Sequence, residues 1–139
     1  MFIPRDLTVE VTLEDGRHEL IYFDTNYNST FALMHEDYLD DSIEVDFGLS
    51  HICLKVLSPV DLAVSKIARF ADPDKEDIAC LVRLGLVSAD EIENRATSAL
   101  ARFVGGQAML LLNLRDALVI AREVEANAEH QRDACRPSN

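Results

Sequence analysis

The sequence predicts an α+β protein, with an antiparallel sheet of about four strands in the N-terminal half packed against about four C-terminal helices. Before Ser58, apolar and polar residues alternate with a period of two, and after it the period is 3.6. Strands that precede helices in this way are typical of an α+β fold rather than of a doubly wound sheet. Residues 1–124 are predicted to form a single domain, and the polar residues 125–139 a frayed or disordered tail.

The N-terminal half predicts two pairs of strands. Residues 7–13 alternate strictly, which is typical of a half-buried strand, and the Asp15-Gly16 turn leads to an apolar run over residues 19–23. A second pair is predicted over residues 43–47 and 51–57, on either side of Gly48. Residues 24–30 are rich in turn formers and predict a loop, and the pattern of residues 31–39 supports at most a short helix.

The C-terminal half carries clear signals for helix ends. Ser58 followed by Pro59 predicts an N-cap and the first helical position, and residues 72–74 separate this helix from a second one. Gly85 is expected to end the second helix, and Ser88 with Glu91 forms a capping box that opens a third. After the break at Gly105-Gly106, a fourth helix is predicted with an apolar stripe of Leu111, Leu114, Leu118 and Ala121.

The charge of the chain excludes some classes of partner. The net charge is −12, and residues 1–57 hold 12 acids against three bases, a net of −9. A negative field repels phosphate groups, so we expect neither sequence-independent binding of nucleic acid nor binding to anionic membranes. No apolar stretch is longer than five residues, the length of residues 108–112, which is far too short to span a bilayer. The N-terminus carries no secretory signal pattern, which predicts a cytoplasmic protein.

The cysteines predict neither disulfides nor a zinc site. Cys53, Cys80 and Cys135 are an odd number, and none has the spacing of a metal-binding pair. Cys53 falls in a strand pattern and Cys80 in a helix pattern, so both are predicted to be small buried hydrophobic residues.

The most distinctive stretch is residues 58–87, which contains four candidate phosphate- or nucleotide-binding residues. Lys66 and Arg69 lie three apart on one predicted helix, and Asp74 and Asp77 lie three apart at the start of the next. Two cations beside paired acids could bind and orient a phosphate group. The same residues could equally form an ion-pair network at a helix corner, worth about 0–1 kcal/mol if exposed. Considered alone, the residues favour the network, because structural ion pairs are common.

This stretch resembles the helical segment that follows the sheet in minimal nucleotidyltransferases of the polymerase-beta-like superfamily, including those related to abortive-infection toxins. That segment reads approximately Pro, any residue, Asp or Glu, Leu, then Lys, a basic residue and an Asp-x-x-Asp helix start. The matching residues, in order, are Pro59, Asp61, Leu62, Lys66, Arg69, Asp74, Asp77 and Ile78. The resemblance covers about 30 residues well and residues 17–90 loosely.

The resemblance also implies catalytic features that this sequence lacks. Such enzymes use a Gly-Ser or Gly-Gly turn for the triphosphate and a strand-borne Asp-x-Asp, with a third carboxylate, for two divalent metals. The sequence contains no Gly-Ser pair, and its only Gly-Gly, Gly105-Gly106, lies between the late helices, where it is interpreted as a helix break. Its only Asp-x-Asp, at residues 72–74, lies in a helix corner. Glu44 and Asp46 alternate on a predicted strand without a preceding glycine turn, and Glu10 is a possible third carboxylate.

We therefore expect a nucleotidyltransferase-like protein without transfer activity, which acts as a binding or regulatory module. No cofactor is expected, and magnesium would be needed only if the enzyme were active. A third possibility is an active enzyme whose glycine-rich segment comes from another chain.

The competing hypothesis is an acidic interaction protein, antitoxin-like and homo-oligomeric, with no nucleotide site. Six acidic residues and no base lie between residues 36 and 46, and their spacing does not match a calcium-binding loop. This run would suit a basic protein partner.

None of the four histidines has metal-ligand spacing to another, and His35-Glu36-Asp37 is at most an acid–base group.

A homodimer through the C-terminal helices is also predicted. The apolar residues of the last helix spread around more of its circumference than a single buried stripe requires. These residues are Leu110, Leu111, Leu112, Leu114, Leu118 and Ile120.

Overall fold

A computed structural model describes residues 8–22, 32–46, 48 and 53–134. Four short strands precede four helices, which confirms the α+β class. The strands are β1 (Thr8–Thr12), β2 (His18–Tyr22), β3 (Ile43–Val45) and β4 (Leu54–Val56). The helices are α1 (Pro59–Lys66), α2 (Asp72–Arg83), α3 (Ala89–Arg102) and α4 (Ala108–Ala134).

The strands form two separate antiparallel pairs rather than one four-stranded sheet. β1 pairs with β2, with Glu10 opposite Leu20, and β3 pairs with β4, with Glu44 opposite Lys55. Each pair joins strands that are neighbours in sequence, which keeps the entropic cost of closing the connection small. Gly16, at φ +80°, completes the first turn in the conformation that favours glycine.

Residues 72–74, predicted to separate two helices, instead form the first turn of α2. Three other helix ends lie where the sequence places them. Ser58 caps α1, because its Oγ accepts the backbone N–H of Asp61 at 3.2 Å. Gly85 follows α2 in a left-handed conformation, with φ +68°. The predicted capping box opens α3, since the Ser88 N–H donates to Glu91 Oε2 at 2.8 Å.

The hydrophobic core is built by the helices and by Leu33. Leu33, Ile67, Ile78 and Ile92 are fully buried at its centre. Four large apolar side chains of the strands are exposed, with Leu20 at 71%: Leu20, Ile43, Leu54 and Val56. The core is therefore mostly aliphatic and lies between α1, α2, α3 and α4.

Three further local expectations differ from the structure. Leu111, predicted for the buried stripe of α4, is 53% exposed, whereas Leu114, Leu118 and Ala121 of that stripe are buried. Leu110 is buried in place of Leu111, because it lies four residues before Leu114 on the same face of the helix. Cys53 is exposed rather than buried, since its strand pair lies outside the core, whereas Cys80 is half-buried. Phe31, the predicted start of a short helix, falls outside the described residues, and residues 36–40 form turns.

Helix α4 continues through residues 125–134, where the sequence indicates fraying. Glu125 Oε1 accepts the backbone N–H of Ala89 at 2.8 Å, at the first residue of α3. A carboxylate at a helix N-terminus is stabilised by the helix dipole, so this contact ties the later turns of α4 to the domain. None of the described helices is both long and apolar enough to cross a membrane.

Candidate functional site

The candidate residues lie at the corner between α1 and α2. Helix α1 ends at Lys66, and the chain turns through Phe70 before α2 begins at Asp72. Phe70 has a φ of +50°, a left-handed conformation that is unfavourable for a bulky residue. Its ring is buried, and its N–H donates to the carbonyl of Lys66 at 3.0 Å. The turn therefore holds the end of α1 close to the start of α2.

Asp74 is the buried centre of this corner, with 1% of its surface exposed. Arg69 donates from Nε to Asp74 Oδ2 and from Nη2 to Oδ1, both at 2.7 Å. The N–H of Ala71 also donates to Oδ2 at 2.9 Å and so caps the start of α2. The hydrogen bonds from Arg69 hold the pKa of the Asp74 carboxyl below its usual value, although burial opposes this.

Lys66 completes the corner on its solvent side. Its ammonium lies 2.7 Å from Asp77 Oδ2 and 3.8 Å from Asp74 Oδ1. The Lys66 side chain is 25% exposed, and that of Asp77 is 51% exposed. The structure thus brings all four candidate residues together, with Arg69 bound to a buried carboxylate and Lys66 bound mainly to an exposed one.

A second ion-pair network, which the sequence analysis did not identify, connects α1, α3 and the 32–41 segment. Arg95 on α3 donates from Nε to Asp61 Oδ1 at 2.7 Å and from Nη2 to Asp61 Oδ2 at 2.8 Å. The same Nη2 lies 2.6 Å from Asp41 Oδ2, and Ser58 Oγ donates to Asp61 Oδ2 at 2.6 Å.

Asp61 is buried, with 1% of its surface exposed. Burial alone would raise the pKa of its carboxyl, but the hydrogen bonds from Arg95 and Ser58 outweigh burial and hold the pKa below its usual value. One sequence signal was available for this pair. Arg95 lies next to Ala96 and three residues after Ile92, at the edge of the buried face of α3.

A shallow, open depression of about 360 Å³ lies beside this network, lined by His35, Val60, Glu91, Asn94, Arg95 and Ser98. His35 Nδ1 accepts the backbone N–H of Asp37 at 3.2 Å, so the imidazole proton lies on Nε2. Nε2 is 2.9 Å from Ser98 Oγ and donates to it. Because Nε2 carries the proton, His35 does not act as a base toward Ser98 in this arrangement, and the pair holds the 32–41 segment on α3.

The carboxylates suggested for a two-metal site do not fit one. Both oxygens of Asp74 are taken by Arg69 and Ala71, and Asp72 Oδ1 pairs with Lys75 at 2.9 Å. Asp46 Oδ1 accepts the N–H of Gly48 at 2.7 Å. Glu10 and Glu44 lie in different strand pairs. Asp46, Asp72 and Asp74 already bond within the chain, and none of these carboxylates belongs to a described group with metal-ligand geometry.

One group of described residues has metal-ligand geometry: His35, Glu36 and Asp37 each offer an atom within 4.8 Å of the others. However, both nitrogens of His35 already have hydrogen-bond partners. Glu36 forms an ion pair with Arg102 at 2.5 Å. These existing bonds account for the arrangement of the group without a metal.

Comparison with curated proteins and with solved structures gave no match. A family model described as a nucleotidyltransferase of unknown function (DUF6036) matches residues 8–119. The match includes the α1–α2 corner and extends well beyond the segment that carries the resemblance in the sequence. It confirms the nucleotidyltransferase-like prediction, and the chain belongs to this family of nucleotidyltransferases of unknown function.

Proposed function

We propose that this chain is a nucleotidyltransferase-like module that binds the phosphate groups of a nucleotide at the α1–α2 corner and does not itself transfer a nucleotide. The observation that carries the proposal is the position of the Lys66 ammonium. It lies at the solvent side of the corner, and its close partner is the exposed carboxylate of Asp77. An exposed ion pair is weak, so a phosphate group could replace Asp77 at small cost.

Arg69 is the second cation available to a phosphate. Its side chain is 69% exposed although two of its N–H groups are bound to Asp74. A guanidinium has five N–H donors, so three are left for a second anion. Asp74 fixes the guanidinium and Phe70 fixes the turn, so little conformational freedom would be lost on binding.

Thermal-shift measurements with ATP, GTP and pyrophosphate test the binding. A ligand present at 100 times its dissociation constant stabilises a protein by about 2.7 kcal/mol, which is readily detected. We expect Lys66→Met to lose the shift while its own stability changes by less than about 1 kcal/mol. The Asp77→Asn variant should bind these ligands more tightly than the wild type does, because it lacks the carboxylate that competes with the phosphate group for Lys66.

Arg83→Met is the matched control for this series. Arg83 also forms an exposed ion pair, with Glu76 at 3.4 Å, but it lies in the last turn of α2, at the end away from the corner. It should keep the wild-type shift. If no ligand shifts the wild type, or if Lys66→Met and Arg83→Met lose the shift equally, the corner is not a phosphate site.

The absence of transfer activity is a separate prediction. The sequence contains no Gly-Ser turn, and its only Asp-x-Asp forms the start of α2, where Asp74 is bound by Arg69. We expect no labelled product from any of the four nucleoside triphosphates with magnesium or manganese. Product that disappears in an Asp74→Asn, Asp77→Asn double variant, shown to be folded by circular dichroism, would overturn this prediction.

The second candidate function is binding of a basic protein through the acidic residues 36–46. Part of this charge is already compensated, since Glu36 pairs with Arg102 and Asp41 with Arg95. Asp40 and Glu44 are exposed, and neither forms an ion pair within the described part of the chain. They leave a smaller acidic surface than the sequence indicates. A failed nucleotide titration together with salt-sensitive binding of a lysine-rich peptide would favour this function.

A further inference from the structure

The outward face of α4 carries an apolar stripe that the core does not use. The core takes Leu110, Leu114 and Leu118. On the opposite side, Leu112 is 53% exposed and Val119 is 51% exposed. With 100° per residue, four exposed residues lie within about 40° of one another around the helix axis. We call them the outer stripe: Ala108, Leu112, Val119 and Ala126.

Charges of opposite sign flank the outer stripe. Arg115 and Arg122 lie along one edge, and Asp116 and Glu123 lie along the other. All four side chains are exposed. Arg122 also pairs with Glu93 on α3 at 2.5 Å, whereas the other three form no ion pair with any residue that the structure describes.

We propose that the outer stripe is a homodimer interface in which α4 pairs in parallel with α4 of a second copy. A twofold axis parallel to the two helices places the basic edge of one helix against the acidic edge of the other. Arg115 then lies at the same height along the helix as Asp116 of the second copy, and Arg122 lies at the same height as Glu123 of the second copy. Opposite charges across such a seam specify partner and orientation.

The antiparallel arrangement is disfavoured by the same charges. A twofold axis perpendicular to the helices leaves each edge on its own side, so the basic edges of the two copies meet and the acidic edges meet. Like charges that face each other across an interface are costly. The basic and acidic edges of the outer stripe therefore favour the parallel dimer over the antiparallel one. The alanines at both ends of the stripe allow the helix axes to approach to about 8–10 Å. This interface does not depend on the proposed nucleotide site.

Sedimentation of the full chain at micromolar concentration tests the interface. We expect a dimer, and we expect Val119→Glu to weaken it by about 100-fold, because the change buries two unpaired charges at the seam. Leu84→Glu is the matched control, since Leu84 is also exposed, at 65%, but lies outside α4. It should remain dimeric. A monomeric wild-type protein with α4 helical, or equal weakening by both variants, would refute the interface.

Cysteine crosslinking tests the orientation. In the parallel pair Leu112 meets Leu112 of the second copy, so Leu112→Cys should form a disulfide-linked dimer above the background of the wild-type cysteines. In an antiparallel pair centred on Val119, Leu112 would instead meet Ala126. Crosslinking that requires the combined Leu112→Cys, Ala126→Cys variant would overturn the parallel arrangement.

Discussion

Replacing Asp61 by asparagine is expected to lower the free energy of unfolding by about 3 kcal/mol. Asp61 is buried and binds Arg95 through both of its oxygens, and the Arg95 side chain is itself only 16% exposed. Removing one partner of a buried pair typically costs about 3–5 kcal/mol, because the other charge stays in a poorly solvated place. The lower end applies here, since Asp41 still contacts Arg95. Urea denaturation would measure the change.

Asp41→Asn is the matched control, because it removes a carboxylate from the same guanidinium at the surface. The Asp41 side chain is 50% exposed, so we expect a loss of no more than about 1 kcal/mol. Equal losses in the two variants would contradict the view that Asp61 is the energetic centre of the network.

The dependence of stability on pH provides an independent measure of Asp61. Its folded-state pKa is lowered relative to the unfolded chain. Its contribution is therefore complete above the unfolded pKa, near 4, and is lost as the pH falls through the lower folded value. The wild type should lose stability more steeply than Asp61→Asn as the pH is lowered from about 5. Parallel curves for the two proteins would contradict this assignment.

Replacing Asp74 by asparagine is expected to cost about 2 kcal/mol. The change replaces one of the two carboxylate oxygens that accept hydrogen bonds from Arg69 by an NH₂ group, which donates. It also weakens the hydrogen bond from the Ala71 N–H that caps α2. Loss of a helix cap costs about 1 kcal/mol, and hydrogen bonds to charged groups contribute about 1.5–3 kcal/mol. The loss is limited because the released Arg69 is exposed and regains water.

Asp77→Asn is the control for Asp74, because it changes the same residue type at the same corner. Asp77 is about half exposed, and its one ion pair among the described residues is with Lys66, so the expected loss is below about 1 kcal/mol. Chemical denaturation of both variants would separate a structural carboxylate from a replaceable one. If Asp77→Asn were the more destabilising variant, Asp77 rather than Asp74 would be the carboxylate that stabilises the corner.

The sequence by itself determined the order of the elements, most of the helix ends and the closeness of the four corner residues. These features depend on local chemistry: Ser58 and Pro59 start a helix, Gly85 ends one, and Lys66 and Asp74 are separated by a single turn. The family assignment also came from local pattern, because residues 59–78 carry most of the resemblance.

Only the tertiary structure decided which charges are buried and which strands and faces meet. Asp61 and Asp77 are both acids near a helix start in the sequence, yet one is buried under Arg95 and the other is exposed. The partner of Asp61 lies 34 positions away, and no local period encodes such a contact. Likewise, Leu110 and Leu111 are adjacent and equally apolar, but only Leu110 faces the core. That choice depends on how α4 is rotated against its neighbours, which is set by the packing of the whole helical core.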